Sequence, residues 1–424
     1  MGKELRQAVD NWLTQNPDEL TSLLSGMIRA ASTQGNEAEV QNFLAEYLHT
    51  LGMEVDLWVP DGAELSADPL FASPRTDFTG SPNLAGRLRG TGGEGARSLL
   101  VNGHVDVVPV GDRDQWTHDP WGAEIEEGRM FGRGASDMKG GIASALVALK
   151  ALAALDVRLR GDVIVECVVE EESGGAGTLA ASRRGYRADG GLIPEPTQLK
   201  IFPKQQGSMW FRITVHGRGA HGGTRYQGIS AIEKAEAVLG SIRDLERTRN
   251  ERIDDPLYEG TPIPVPINVG VIRGGEWPSS VPDRVVLEGR MGVAPGESIE
   301  EVQQEMATAL DALGEQDAWF REKPVELEWF GARWLPCDLD PDAEPVVTLA
   351  RACESVRGSR PELLAAPWGT DAGLLQAATG TPTVVFGPGV TAMAHQPDEY
   401  ILLEDVRTAA LITALFMADW CGVE

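Results

Sequence analysis

Apolar residues between positions 37 and 51 recur at helical spacing, and Gly52 ends the run as glycines commonly end helices. A strand-like stretch over 54–59 follows it. The same succession returns downstream as a strand over 99–108, a helix over 139–155, a strand over 162–169 and a short strand ending near Ile193. Such alternation predicts an α/β unit, a mainly parallel sheet flanked by helices, with functional residues gathered at the carboxyl ends of the strands.

Beyond residue 207 the rhythm changes. Patterns over 210–215, 268–273, 284–291 and 325–330 predict strands, and those over 229–247 and 298–313 predict helices. Strand-helix-strand-strand-helix-strand is the order of a ferredoxin-like α+β domain. From residue 334 helix and strand alternate again, ending in a strand over 383–386 and a C-terminal helix. The expected organisation is a discontinuous domain, 1–206 with 334–424, interrupted by an inserted domain over 207–333. The Pro/Gly-rich stretches 60–82 and 254–266 read as loops.

Composition narrows the partners. With 424 residues, 42% of them hydrophobic, the chain exceeds what one core usually supports. Its net charge of -27 repels nucleic-acid phosphates and anionic lipid, so neither is an expected partner. The first fifteen residues lack the basic start and apolar stretch of a secretory signal, and Lys150 interrupts the apolar run over 142–155. Arg6 stands where N-myristoylation needs Ser or Thr. Cys167, Cys337, Cys353 and Cys421 form no Cys-x-x-Cys spacing, which fits reduced, buried thiols and a cytoplasmic protein.

Five segments can carry chemistry. His104 lies in Val-Asn-Gly-His-Val-Asp-Val, where the strand period of two puts Asp106 on its side, so that the carboxylate can orient the imidazole. A strand histidine without such a neighbour is more often structural. Asp137 follows the glycine-rich turn Gly-Arg-Gly-Ala-Ser and reads either as a helix N-cap or as a ligand whose flanking glycines admit close backbone approach. Glu170, Glu171 and Glu172 end an apolar strand, forming either an exposed acidic loop or a crowd that needs cations. Glu195 sits between two prolines, and His395 follows the strand over 383–386. Two imidazoles and several carboxylates make a hard nitrogen and oxygen set suited to divalent zinc, cobalt or manganese. With a shared aspartate, such a pair leaves a position for an activated water.

These motifs, in this order and over nearly the whole chain, resemble the metallopeptidase and deacylase family that includes acetylornithine deacetylase, succinyl-diaminopimelate desuccinylase and the glutamate-releasing carboxypeptidase of the carboxypeptidase G type. The resemblance implies two zinc ions, with His104 and Glu195 on one, Glu172 and His395 on the other, and Asp137 bridging them. It implies that Asp106 buttresses His104, that Glu171 is the general base, and that the Asp137 to Met138 peptide is cis. It also implies a homodimer through the inserted domain. The segment Gly-Ala-His-Gly-Gly then makes His221 a candidate for stabilising the oxyanion in the partner subunit's site. Arg290 matches the position that grips a substrate carboxylate, with Ser279 and Gly389 completing the substrate-binding set. Where the family often has Asn-x-x-Pro, this chain has Ser279-Ser-Val-Pro282, which replaces an amide by a hydroxyl and puts substrate identity in question. Glu195, in place of an aspartate, leans toward the deacylase and carboxypeptidase branches. His49, His118 and His216 match no ligand position. The leading expectation is an N-acyl-amino-acid amidohydrolase. A dipeptidase or carboxypeptidase acting on short peptides is the nearer alternative, and a non-enzymatic metal-binding protein the remote one.

Overall fold

Strands buried on both faces are mainly apolar, and two segments of this chain are buried at six consecutive residues each, with Asn102, His104 and Glu166 as the polar or charged members. In the computed structural model, which describes residues 2–424, they form the centre of a large sheet. Six of its nine strands, β1 (Glu54–Trp58), β2 (Asn83–Leu88), β3 (Leu99–His104), β4 (Val163–Val168), β5 (Gly190–Ile193) and β6 (Thr383–Val385), lie in the order β1-β2-β4-β3-β5-β6. The pairs β4-β3, β3-β5 and β5-β6 are parallel, whereas β1 and β2 are antiparallel additions at one edge. The mainly parallel α/β sheet expected from the sequence is therefore present.

Helices fill the space above this sheet. Gly140–Ala154 is apolar on nearly every side, and with Leu403–Cys421 and Pro17–Arg29 it shares one core that includes Leu99, Val101, Val163 and Val165. Each aliphatic side chain buried there stabilises by about 1.5–3 kcal/mol. The strand predicted over 99–108 stops at His104, because beyond it the chain bends and the Val107 amide bonds the Ser32 carbonyl at 3.0 Å.

The chain divides into two units. The first holds the described residues through Lys204 together with Leu339–Leu364 and Thr370–Glu424. The second holds Gln205–Asp338 and Ala365–Gly369. Assigning all of 334–424 to the first domain is corrected by this division. Ala365–Gly369 belongs to the second unit because the Gln206 amide bonds the Ala366 carbonyl at 3.0 Å and the Gln206 side chain bonds the Pro367 carbonyl.

In the second unit an antiparallel sheet runs in the order Ile267–Gly274, Arg284–Val293, Gly207–His216, Glu326–Trp334. Helices Ala231–Asn250 and Ile299–Asp311 pack on it through Val238, Ile242, Val302 and Met306 against Phe211, Ile213, Val285 and Leu287. This is the ferredoxin-like order. Ser230 caps the first helix, and Ser298 with Glu301 forms a capping box on the second, which explains why both begin where they do.

Candidate active site

Three parallel strands of the first unit point their carboxyl ends at one place. His104 is the last residue of β3, Glu171 and Glu172 follow β4, and Glu195 follows β5. Asp137 comes from the turn that leads into the helix Gly140–Ala154 between β3 and β4, and His395 from the segment after β6. The structure brings all six together.

Asp137 stands between the histidines. Its Oδ1 lies 3.2 Å from His104 Nε2 and its Oδ2 lies 3.4 Å from His395 Nε2. His104 Nε2 also faces Glu195 Oε1 at 3.7 Å and Glu171 Oε2 at 4.0 Å, and His395 Nε2 faces Glu172 Oε1 at 3.1 Å. Asp137 is not a helix cap. Its φ and ψ are -119° and 95°, and the helix starts three residues later. The Asp137–Met138 peptide is cis, as the resemblance implies.

Close backbone approach is built in by glycine. A Cβ on Gly141 would lie 1.7 Å from the Pro194 carbonyl oxygen, so only glycine lets this helix meet the chain that carries Glu195. Gly389, with φ 87°, lies against Ser136, whose hydroxyl a Cβ would meet at 2.6 Å. It therefore packs on the turn that carries Asp137.

The role expected for the Asp106 carboxylate needs correction. His104 Nδ1 faces the main-chain carbonyl of Asp106 at 2.8 Å, while the nearer carboxylate oxygen is 3.7 Å away. The carboxylate instead accepts the amides of Glu171 at 3.3 Å and Glu172 at 3.2 Å. Asp106 thus orients the imidazole through its backbone and the two glutamates through its side chain. The bend after β3, which strand periodicity does not anticipate, exchanges these two functions.

Electrostatics mark the cluster as strained by its own charge. Burial pushes the Glu171 and Glu195 carboxyls well above their ordinary range, and neighbouring carboxylates add to this. Burial likewise raises Asp106 to about 7. His395 is raised to about 10, first by its contact with Asp137 and then by Glu172. Burial works against the charge on His104, but Asp137, Glu195, Glu171 and Asp106 outweigh it and raise the imidazole. Cations placed among these groups would remove the mutual repulsion. The sets His104, Glu171, Glu195 and His104, Asp137, Glu172 each hold ligand atoms within 4.8 Å of one another. All donors are nitrogen or oxygen, and the four cysteines are buried and unbridged. The residues present therefore fit a pair of divalent ions.

Two further carboxylates also enter, Glu170 from the acidic run already noted and Glu399, which was not singled out from the sequence. Glu170, in left-handed backbone at φ 68°, accepts from Gln34 at 2.7 Å, Ser73 at 2.8 Å and Arg75 at 2.6 Å. Glu399 accepts the Asp137 amide at 3.1 Å. Its nearness to His395 in sequence is the one signal that could have drawn notice.

The remaining candidates lie in the second unit. His221 is exposed, and its Nδ1 accepts the Gly223 amide at 3.0 Å. With Trp277, Arg273 and Ser280 it lines a groove of about 710 Å³. The Ser279 carbonyl accepts the Gly222 amide at 2.6 Å. Arg290 Nε is buried without a hydrogen-bond partner among the described residues, and burial lowers the guanidinium pKa with no carboxylate offsetting it. His118 stacks on Phe131 at 3.8 Å and His216 pairs with Glu326 at 2.9 Å.

Comparison with known proteins agrees with this geometry. The profile of peptidase family M20/M25/M40 matches residues 100–419. A Bacillus subtilis protein named N-formyl-4-amino-5-aminomethyl-2-methylpyrimidine deformylase is 30% identical over 96% of this chain and 96% of its own. Its Halalkalibacterium halodurans namesake is 30% identical over 96% and 95%. Among solved structures, a di-peptidase of Saccharomyces cerevisiae superposes with a TM-score of 0.76 at 17% identity, covering 99% of each chain. An M20 metallo-carboxypeptidase of Sulfolobus solfataricus gives 0.73 at 19% identity, covering 95% and 99%. At these identities the structures speak for the fold.

Proposed function

The chain belongs to peptidase family M20/M25/M40 and is a hydrolase of amide or peptide bonds; within that family we propose that it removes the acyl group from an N-acyl amino acid. The observation that carries this reading is the two-faced Asp137, with an imidazole on each carboxylate oxygen, the buried Glu171 and Glu195 beside His104, and the half-buried Glu172 beside His395. His104, Glu195 and Asp137 would hold one divalent cation, Glu172, His395 and Asp137 a second, and zinc suits this donor set. Bound there, the pair would acidify a shared water and polarise the scissile carbonyl.

Glu171 supplies the proton traffic. Its buried carboxylate takes a proton from the attacking water and delivers it to the amide nitrogen, so that the C–N bond breaks to release an amine and a carboxylic acid. Asp106 holds Glu171 and Glu172 by their amides while its carbonyl fixes the His104 ring. The unpartnered Arg290 supports specificity for a substrate carboxylate, with Ser279 and Gly389 as further substrate contacts. A homodimer in which His221 of the partner subunit stabilises the oxyanion belongs to the same proposal.

A second reading has its own support. Both curated relatives carry the name of a deformylase of an aminomethylpyrimidine, whose N-formyl group is also an amide. Assaying N-acetyl and N-succinyl amino acids, N-formyl aminomethylpyrimidines and dipeptides, each with zinc, cobalt and manganese, tests the proposal. Turnover confined to the formyl substrate would replace the first reading by the second.

A further inference from the structure

The two oxygens of Asp137 face different imidazoles only while its turn is held rigid, and within the turn the Ala135 and Lys139 amides bond the Gly132 and Gly134 carbonyls while the Gly134, Ser136 and Asp137 amides look outside it for acceptors. It contains Gly132 at φ 155° and Gly134 at φ 82°, and Asp137 itself lies outside helical backbone. Glycine backbones of this kind lose the most freedom on ordering, so something must hold them. One carboxylate does.

Glu399 is fully buried, and both of its oxygens are used. Oε1 accepts the Ser136 amide at 2.9 Å and the Asp137 amide at 3.1 Å. Oε2 accepts the Gly134 amide at 3.0 Å and Arg133 Nη1 at 2.7 Å. Three backbone amides converging on one anion form a nest, here filled by a side chain of the protein itself. The main chain of Glu399 is fixed too, since its carbonyl accepts the Gly132 amide at 2.8 Å and the next three residues, Tyr400–Leu402, pair with Arg129–Phe131. His395 lies four residues upstream on the same segment. Glu399 therefore ties the turn carrying Asp137 to the segment carrying His395.

We propose that Glu399 is a positioning residue for the metal pair, locking Asp137 and His395 into one geometry through the 133–137 turn. The inference rests on the metal-binding reading of the site. It requires an acceptor on both oxygens, which a carboxylate provides and a carboxamide does not. Glu399→Gln keeps the shape but turns an NH₂ group toward peptide N–H donors. Losses of outer-shell partners typically weaken metal affinity by about 10–100-fold.

The test is zinc affinity of the full chain, measured by competition with a chromophoric chelator alongside zinc content and melting temperature. Wild type and Glu399→Gln are compared with Ile401→Ala, which removes a buried apolar side chain packed beside Gly140 and so lowers stability without removing any hydrogen bond to the 133–137 turn. The expected result is zinc affinity about 10–100-fold weaker in Glu399→Gln and unchanged in Ile401→Ala, even where both melt early. Glu399→Asp, which keeps the charge but withdraws the oxygens by one methylene, carries the same expectation should the glutamine variant not accumulate folded. Wild-type affinity in the variants at position 399, or equal losses at 399 and 401, would overturn the inference while leaving the metal site standing. A wild-type chain that binds no zinc would remove both.

Discussion

Glu171 and Glu172 are neighbours in sequence, yet one faces His104 and the other His395. In an extended strand their side chains would point to opposite faces of the sheet. The chain avoids this by leaving β4 through Glu170 in left-handed backbone and turning over Glu171–Ser173, with the Asp106 carboxylate gathering both amides. If Glu171 carries the proton, Glu171→Gln keeps the contacts and removes the carrier. Its kcat is expected to fall by about 10²–10⁴-fold with both metals retained. Initial rates together with metal content check this, and full turnover in a metal-loaded variant would defeat the mechanism. Arg290→Ala separates the two substrate readings. Loss of a charge-assisted contact worth about 1.5–3 kcal/mol lowers kcat/KM for N-acyl amino acids by about 10–100-fold. An N-formyl amine without a carboxylate is expected to lose nothing, and equal losses on both substrates would discard the carboxylate clamp.

Elements with strong periodicity were legible before any coordinates. The helix predicted over 37–51 is Ala38–Thr50, and the second unit's strand and helix order emerged from pattern alone because each of its elements packs a single apolar face. β2, Asn-Leu-Ala-Gly-Arg-Leu, was not legible: small residues at its centre give no alternation, and its antiparallel pairing with β4 comes from sheet packing. The helices Gly2–Gln15 and Pro17–Arg29 lie outside the elements predicted, although Leu20, Leu23, Leu24, Met27 and Ile28 recur at helical spacing in the second. Site residues at strand ends announced themselves, whereas Glu399 acts on backbone amides and is marked in the sequence only by its place four residues after His395. The interior of β4 has a consequence of its own. Glu166 is buried there, accepts from Asn102 at 2.8 Å, and is raised by burial from 4.5 to about 8. The folded state thus keeps a proton that the unfolded chain releases between those values. The stabilisation is complete below about 4.5 and disappears as pH rises through about 8. Glu166→Gln removes this titration, so its melting temperature should gain on wild type between pH 5 and pH 8.5. Parallel melting curves across that range would mean that Glu166 ionises as an ordinary carboxyl.

At the scale of the molecule, 64 acidic residues against 37 basic ones leave a net charge of -27, and no helix among the described residues is long and apolar enough to cross a membrane. Most of that charge faces solvent at small cost. In the first unit's cluster it does not: Asp106, Glu171 and Glu195 are buried around the one imidazole of His104. None of these residues belongs to the second unit, whose four-stranded sheet has a separate core. Cations that bind the folded cluster and not the unfolded chain should therefore stabilise the first unit alone. A site held at a hundred times its dissociation constant contributes about 2.7 kcal/mol. For a unit of this size, each kcal/mol moves the melting temperature by about 2–4 °C, so one occupied site corresponds to about 5–10 °C. Scanning calorimetry before and after exhaustive chelation, and again after zinc is restored, reads this directly. The first unit's transition should move down and return, and the second should stay in place. A chelated protein whose melting is unchanged would mean that the buried carboxylates are neutralised by protons, and the two-metal reading would fall with that result.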